Sequence, residues 1–269
     1  MPRPTIVERI EVDPASLFYR EHLARYEFAA EQIQPGRTLD IACGTGYGAA
    51  LLRDRLGAAV IGVDVDELTA AAARRTYGTD RLGFLVADGR ALPFAAGLFR
   101  NVVTLETVEH VADDHGFVGE LARVMDADGA LILSTPNRAY SLGEGRVNPF
   151  HVREYDAEDL LALLRPHFGR VELFYQGFSA RYAAAEHDYA ATIQSRKRTL
   201  HPLLRLAVRG VRGPLKRLVP RGIMNYAIRR LLRLEYPQPE PGDIRISSEV
   251  DPTANVFVVV CREPRGSFI

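Results

Sequence analysis

The chain has 269 residues, 47% of them hydrophobic, and its 34 basic and 34 acidic side chains cancel at neutral pH. That is enough apolar sequence for one large core, while the charge balance argues against a molecule that as a whole attracts nucleic acid or acidic partners. Cys43 and Cys261 stand far apart without a CxxC pair, which fits buried thiols in a reducing, cytoplasmic setting better than a disulfide framework or a zinc site. The polar N-terminus has no signal-peptide core, and no apolar run is long enough to span a membrane.

In chain order, YREHLARYEFAA (19–30) predicts an amphipathic helix with Tyr19, His22, Arg25 and Tyr26 at helical offsets. Short runs rich in Val, Ile and Leu follow: TLDIA (38–42), AVIGV (59–63), LGFLV (82–86), NVVTL (101–105) and ALILST (130–135). They read as strands buried on both faces. GAALLRDRL (48–56), DELTAAAARRTY (66–77) and DHGFVGELARVM (114–125) read as the helices between them, and such crossovers imply a mainly parallel sheet. Asp156 is placed to cap a helix running towards Arg165. RVELFYQ (170–176) and ANVFVVVC (254–261) read as a pair closing one edge of the sheet. The stretch between these two runs is too long for an ordinary connection.

In LDIACGTGYG (39–48) a strand gives way to Gly44, Gly46 and Gly48, just before a helix begins. Such glycines let the backbone turn sharply beside a helix N-terminus and approach a nucleotide-like ligand. Two acids then follow successive strands, Asp64 after VIGV and Asp88 after FLVA. An ionised carboxylate after the second strand suits a pair of ribose hydroxyls, and one after the third an adenine amino group. The alternative for each is a helix cap or turn aspartate.

With those motifs in that order, the chain resembles the class I S-adenosylmethionine (SAM)-dependent methyltransferases over residues 15–176 and the final strand. DIACGTGYG, VIGVDVD, VADGRALPF, NVVTLETVEHV and RVMDADGALILSTPN carry the likeness. The last has Asp126, Ala127 and Asp128 where the family commonly has a Lys-Pro-Gly turn, although Gly129 still permits the reversal. A dehydrogenase is disfavoured because the loop lacks the spacing of GxGxxG. The resemblance implies an α/β, Rossmann-like, seven-stranded and mostly parallel sheet with an antiparallel edge strand and helices on both faces. It implies one domain over 1–269, with a helical cap at 1–34, a core at 35–176 and 254–262, and a basic helical insertion or lid at 177–253. SAM would lie across Asp40, Gly44, Gly46, Asp64, Val65, Asp88, Gly89 and Glu106. Tyr19, Arg25 and Tyr26 would meet its methionine end or the acceptor, unless that helix simply packs on the sheet.

A narrower likeness, carried by YREHLARYEFAA, LDIACGTGYG, the ExxEH cluster, STPNR and NPFHVRE (148–154), points to the bacterial branch associated with O-antigen and other glycan biosynthesis. Its members methylate sugar hydroxyls or terminal phosphates, which implies a saccharide acceptor. LETVEHV and STPNR also resemble the ubiquinone-pathway O-methyltransferases, which implies a quinone-like phenol or natural product instead. A SAM-binding protein without transfer activity is the reading of another class.

In this fold the fourth strand ends beside the sulfonium methyl, where Glu106, Glu109 and His110 lie three and four residues apart on one face of a turn. A sugar hydroxyl attacks only as its proton leaves, so His110 or His151 is the candidate base. Alternatively Glu106, Glu109, His110 and His151 bind Mg²⁺ or Mn²⁺, a pattern similar to the metal site of small-RNA 2'-O-methyltransferases. The third reading is structural, with the acids capping or pairing and His110 packed beneath the cofactor. Arg153 is a candidate anion contact or a surface ion-pair partner.

Residues 196–233 carry many Lys and Arg, no Asp or Glu, and apolar residues at helix-like spacing. The segment suits a peripheral membrane surface bearing a lipid-linked glycan, an anionic acceptor, or a lid or homodimer contact. Nucleic acid is disfavoured for want of a stacking platform.

Overall fold

The computed structural model describes residues 16–143, 148–199, 237–240 and 242–265. Among the described residues there are eight strands: β1 (Thr38–Ile41), β2 (Val60–Asp64), β3 (Leu82–Val86), β4 (Phe99–Leu105), β5 (Met125–Pro136), β6 (Phe168–Phe178), β7 (Ile244–Ser247) and β8 (Val256–Pro264). They form one sheet in the order β3-β2-β1-β4-β5-β8-β6-β7. β1 pairs in parallel with both β2 and β4, β4 pairs in parallel with β5, and β8 runs antiparallel to both β5 and β6. The helices are α1 (Leu17–Gln32), α2 (Tyr47–Leu56), α3 (Glu67–Tyr77), α4 (Asp114–Val124), α5 (Arg138–Gly143), α6 (Ala157–Leu164) and α7 (Ala180–Thr199).

The central strands are apolar throughout because successive side chains enter opposite layers. Leu131 and Leu133 of β5, with Val259 and Cys261 of β8, join Phe117 and Leu121 of α4 and Leu160 and Leu163 of α6. Ala130 and Ile132, with Val258 and Val260, join Tyr26 and Ala29 of α1, Leu52 of α2 and Ala73 of α3 on the other face. Aspartates start the crossover helices: Asp66, Asp113 and, as its sequence position predicts, Asp156 accept the backbone N–H of Thr69, Gly116 and Asp159. Each such cap contributes about 1 kcal/mol.

The expected α/β fold is present, with eight strands in place of seven. β7 is the addition, a four-residue strand of alternating half-buried and exposed residues that offers no apolar run to detect. It lies within the stretch read as the insertion and holds the sheet edge beyond β6. The chain divides into two compact units, one of residues 1–177 and 244–269, the other of 178–243. Inside the second unit Ser179 and Arg181 both bond the carboxylate of Asp243. Most of the basic segment 196–233 lies outside the described residues. Among the described residues, no helix is long and apolar enough to cross a membrane.

Gly48, in the first turn of α2, marks the closest approach of that helix to α1: a Cβ there would stand 1.9 Å from the Tyr26 ring. Gly48→Ala should therefore lower unfolding stability by about 1–3 kcal/mol through overpacking, read as an earlier urea midpoint with an unchanged slope.

Candidate active site

Because β1 is flanked in parallel by β2 on one side and β4 on the other, the connections leaving its carboxyl end diverge and open a crevice there. The loop after β1 is wound through left-handed positions at Ala42, Gly44 and Gly46 (φ 55°, 53° and 87°). The Gly44 N–H donates to Oδ2 of Asp64, while the Asp66 N–H donates to Oδ1 of the same carboxylate, each at 2.9 Å. Asp64 thus ties the end of β2 to the glycine loop, and the α3 cap is Asp66. Val65 is 68% exposed, an apolar side chain left at the crevice rim. Asp88 instead chelates Arg90, whose side chain donates to both carboxylate oxygens, and that pairing holds the Asp88 carboxyl below its ordinary value. A Cβ on Gly89 would meet the Phe117 ring at 2.7 Å, so that glycine serves packing between the β3 turn and α4.

Beneath the loop lies Asp40, fully buried, with both carboxylate oxygens accepting from the Tyr26 hydroxyl at 3.1 Å. Burial pushes its carboxyl up to about 8, with Asp64 adding to the rise and the Tyr26 bond opposing it. Tyr26, read either for the ligand or as part of a helix packed on the sheet, is buried and gives its hydroxyl hydrogen to this carboxyl. Tyr19 stays nearer the surface, its ring 4.9 Å from that of Tyr47. His22 bonds the Tyr47 hydroxyl, and burial with the nearby Arg25 cation holds its imidazole well below the ordinary value, hence neutral.

Arg25 is buried, with Nη1 donating to Gln176 (3.0 Å) and Nη2 standing 4.0 Å from the Glu106 carboxylate. Its Nε has no hydrogen-bond partner, and neither has the buried Thr45 hydroxyl in the glycine loop. Such orphaned donors inside a crevice suit a polar ligand. Thr45 and Tyr47 escaped the sequence reading, since a Thr or Tyr between glycines carries no signal of its own.

At the end of β4, Glu106 takes a left-handed φ of 53° and exchanges bonds with Ser134 of β5: its N–H donates to the Ser134 hydroxyl, which donates to Glu106 Oε1 at 2.8 Å. The Glu109 side chain is wholly buried; Oε2 accepts from the Thr135 hydroxyl at 3.0 Å and Oε1 has no partner. Burial, then the Glu106 charge, drives the Glu109 carboxyl well above its ordinary value. The Glu109 carbonyl accepts the N–H groups of Val152 and Arg153, which carries the segment from Asn148 across to this turn. His151 consequently stacks edge-on against His110, ring centroids 5.0 Å apart. The Nδ1–H of His110 donates to the Phe150 carbonyl at 3.0 Å, which leaves Nε2 as the accepting nitrogen. His151 is bonded through Nδ1 to Glu154 (2.7 Å) and through Nε2 to the Asn148 amide (2.9 Å).

Of the four residues read as a metal cluster, Glu109, His110 and His151 come together with one ligand atom each within 4.8 Å of the others. Glu106 does not join them, because Ser134 holds its carboxylate. Arg153 donates to Asp114 at 3.0 Å and lies 3.9 Å from Asp159, the ion-pair arrangement of its two readings, with its side chain still partly exposed.

The methyltransferase-domain family model matches residues 39–133, from β1 into β5. A demethylmenaquinone methyltransferase of Thermus thermophilus is 32% identical over 210 residues, 71% of this chain and 94% of that protein. A protein of Mycobacterium tuberculosis named as a probable SAM-dependent methyltransferase is 36% identical over 156 residues, 57% of this chain and 56% of its own length. The chain thus spans little more than half of that relative. A SAM-dependent methyltransferase structure from Thermotoga maritima shares the fold, with a TM-score of 0.55 at 18% identity over 91% of this chain and 90% of that one. The chain belongs to the class I SAM-dependent methyltransferase family.

Asp40 supplies a measurable signature of this floor. The unfolded chain releases its proton near 3.8 and the folded chain holds it to about 8, so stability should fall as pH rises across that window. One proton of difference is worth about 1.4 kcal/mol per pH unit at most. Asp40→Asn should flatten that part of the stability–pH curve measured by denaturant titration.

Proposed function

We propose that the protein is a SAM-dependent O-methyltransferase that acts on a sugar hydroxyl of a glycan or glycosylated acceptor. The cofactor's site is the crevice at β1, where residues of this chain offer what such a ligand needs: a glycine loop braced by Asp64, the exposed apolar Val65, and the orphaned donors of Thr45 and Arg25. Bound SAM supplies an electrophilic methyl group with an excellent leaving group. What remains for the protein is to orient the acceptor and remove its proton.

The observation that carries the reading is the group of Glu109, His110 and His151 where β4 and β5 end. An aliphatic hydroxyl is too weakly acidic to attack unaided, and a fixed imidazole with Nε2 turned away from its Phe150 anchor is suited to its proton. The polar neighbours Asn148 and Glu154 suit a polyhydroxylated ring. The basic stretch 196–233, by its composition, suits a lipid-linked or otherwise anionic glycan, and this would bring the protein to the cytoplasmic face of a membrane.

A quinone-like phenol is the second reading, favoured by the likeness to the Thermus demethylmenaquinone enzyme. A radiolabelled transfer assay over saccharide and phenolic acceptors separates the two, and label on phenols alone would sink the sugar assignment. His110→Ala should reduce turnover by about 10²–10⁴-fold while SAM affinity in calorimetry stays near wild type. Wild-type turnover in that variant would remove the histidine cluster from the chemistry.

A further inference from the structure

We infer that His22 of α1 is a positioning residue for the cofactor, a tie that holds the two walls of the crevice at β1 in fixed relation. The inference rests on the assignment of SAM to that crevice. One wall is the glycine loop, which ends at Gly46 (φ 87°) and runs straight into Tyr47, the first residue of α2. The other is the end of β4, where Leu105 is followed by the left-handed Glu106 (φ 53°). His22 belongs to neither wall, yet its ring bonds both. Nδ1 meets the Tyr47 hydroxyl, and the Leu105 carbonyl is the backbone partner of the same imidazole.

The chemistry of the two partners fixes the tautomer. A backbone carbonyl only accepts, so the ring donates to Leu105 through Nε2–H, and Nδ1 of the neutral ring must accept. Tyr47 supplies the hydrogen, because burial raises its phenol and keeps it protonated. A directed chain results, phenol to imidazole to carbonyl, with each group satisfied by a different element. Packing holds the ring in that place: it stands edge-on to Tyr26 and to Tyr47, with centroids 5.2 Å and 5.8 Å away, and Tyr26 is anchored in turn to Asp40 of β1. One turn along α1, Arg25 bonds Gln176 and faces Glu106, so the helix cannot carry the imidazole off the walls without breaking that network as well.

Such a tie works only while the ring is neutral. A second proton would turn Nδ1 from acceptor to donor, set it against the Tyr47 hydroxyl hydrogen and place a cation beside Arg25. The carboxylates of the neighbouring elements are already committed, Asp40 to Tyr26 and Glu106 to Ser134 and Arg25. Burial first and Arg25 second hold the imidazole well below its ordinary value of 6.5, against the opposing pull of the Leu105 bond. The tie is therefore complete above that value and is lost as the pH falls below it. While it holds, the Gly44–Thr45 turn stands preset and the ligand has no loop to order. Once it is broken, affinity falls by the fraction of molecules that keep the loop in place.

Calorimetric titration of SAM into the full chain, with urea unfolding of each variant beside it, tests the tie. His22→Phe keeps a ring in the cluster and removes both hydrogen bonds, and it should weaken SAM binding by about 5–100-fold. Tyr47→Phe removes the phenol's bond from the other side and serves where His22→Phe does not fold. The two losses should fall short of adding in the double variant, because they break one chain of bonds. Between about pH 7.5 and 5, wild-type affinity should fall more steeply than that of His22→Gln, whose amide does not titrate. Asp40 and the ligand's own groups contribute to both profiles alike, so the difference isolates His22. A purely structural His22 would lower the urea midpoint and leave the SAM affinity of the folded protein unchanged. That result in whichever variant folds overturns the inference, and so do superimposable pH profiles. No SAM binding by the wild type overturns the cofactor assignment and the inference together, whereas wild-type binding indifferent to His22 overturns the inference alone.

Discussion

The position of β1 between two parallel neighbours fixes where the glycine loop and the Asp64 brace stand. A strand paired in this way on both edges has no hydrogen-bonding capacity left, so its two following connections must part above it. The gap they leave is a place where backbone N–H groups, carboxylates and a ligand can meet without crossing the apolar layers. The left-handed turns at Ala42, Gly44 and Gly46 and the Asp64 brace are the local response to it. So is the left-handed Glu106 at the end of β4, one strand over.

Burying charge beneath that gap requires partners from distant parts of the chain. Glu21, Arg25, Gln176 and Asn255 form one network linking α1 to β6 and the turn before β8, with Gln176 bonding both Arg25 and Glu21. Removing any member would strand the others in a low-dielectric interior, which is costlier than the net worth of a single bond. The network therefore stabilises a position of α1 in which Arg25 faces Glu106. Fold and site share these residues, and a change in one cannot be made without the other.

Local chemistry made the strands and caps legible. The apolar runs predict β2 and β3 to within a residue or two, and Asp156 caps α6 where its spacing says it should. β7 was not legible because Ile-Arg-Ile-Ser is half exposed and too short for its alternation to stand out. In the candidate site, the likeness put His110 and His151 in one cluster, but the link that joins them was not legible, since it is the Glu109 carbonyl accepting two amides from a segment some forty positions on. Tyr26 and Glu106, read for the ligand, also bond Asp40 and Ser134, partners that spacing cannot reveal.

The place of β8 has a consequence for how the protein comes into being. β5 and β6 follow one another in the chain, yet they are kept apart by a strand drawn from near the C-terminus. Until Val256–Pro264 arrives, the inner edges of both strands present unpaired backbone and two apolar faces, a template for wrong pairing. The half built on β1 to β4 has comparatively local contacts, while the β5–β8 pairing must close a separation of more than a hundred residues. Closure of this half of the sheet therefore depends on the longest-range pairing between its neighbouring strands.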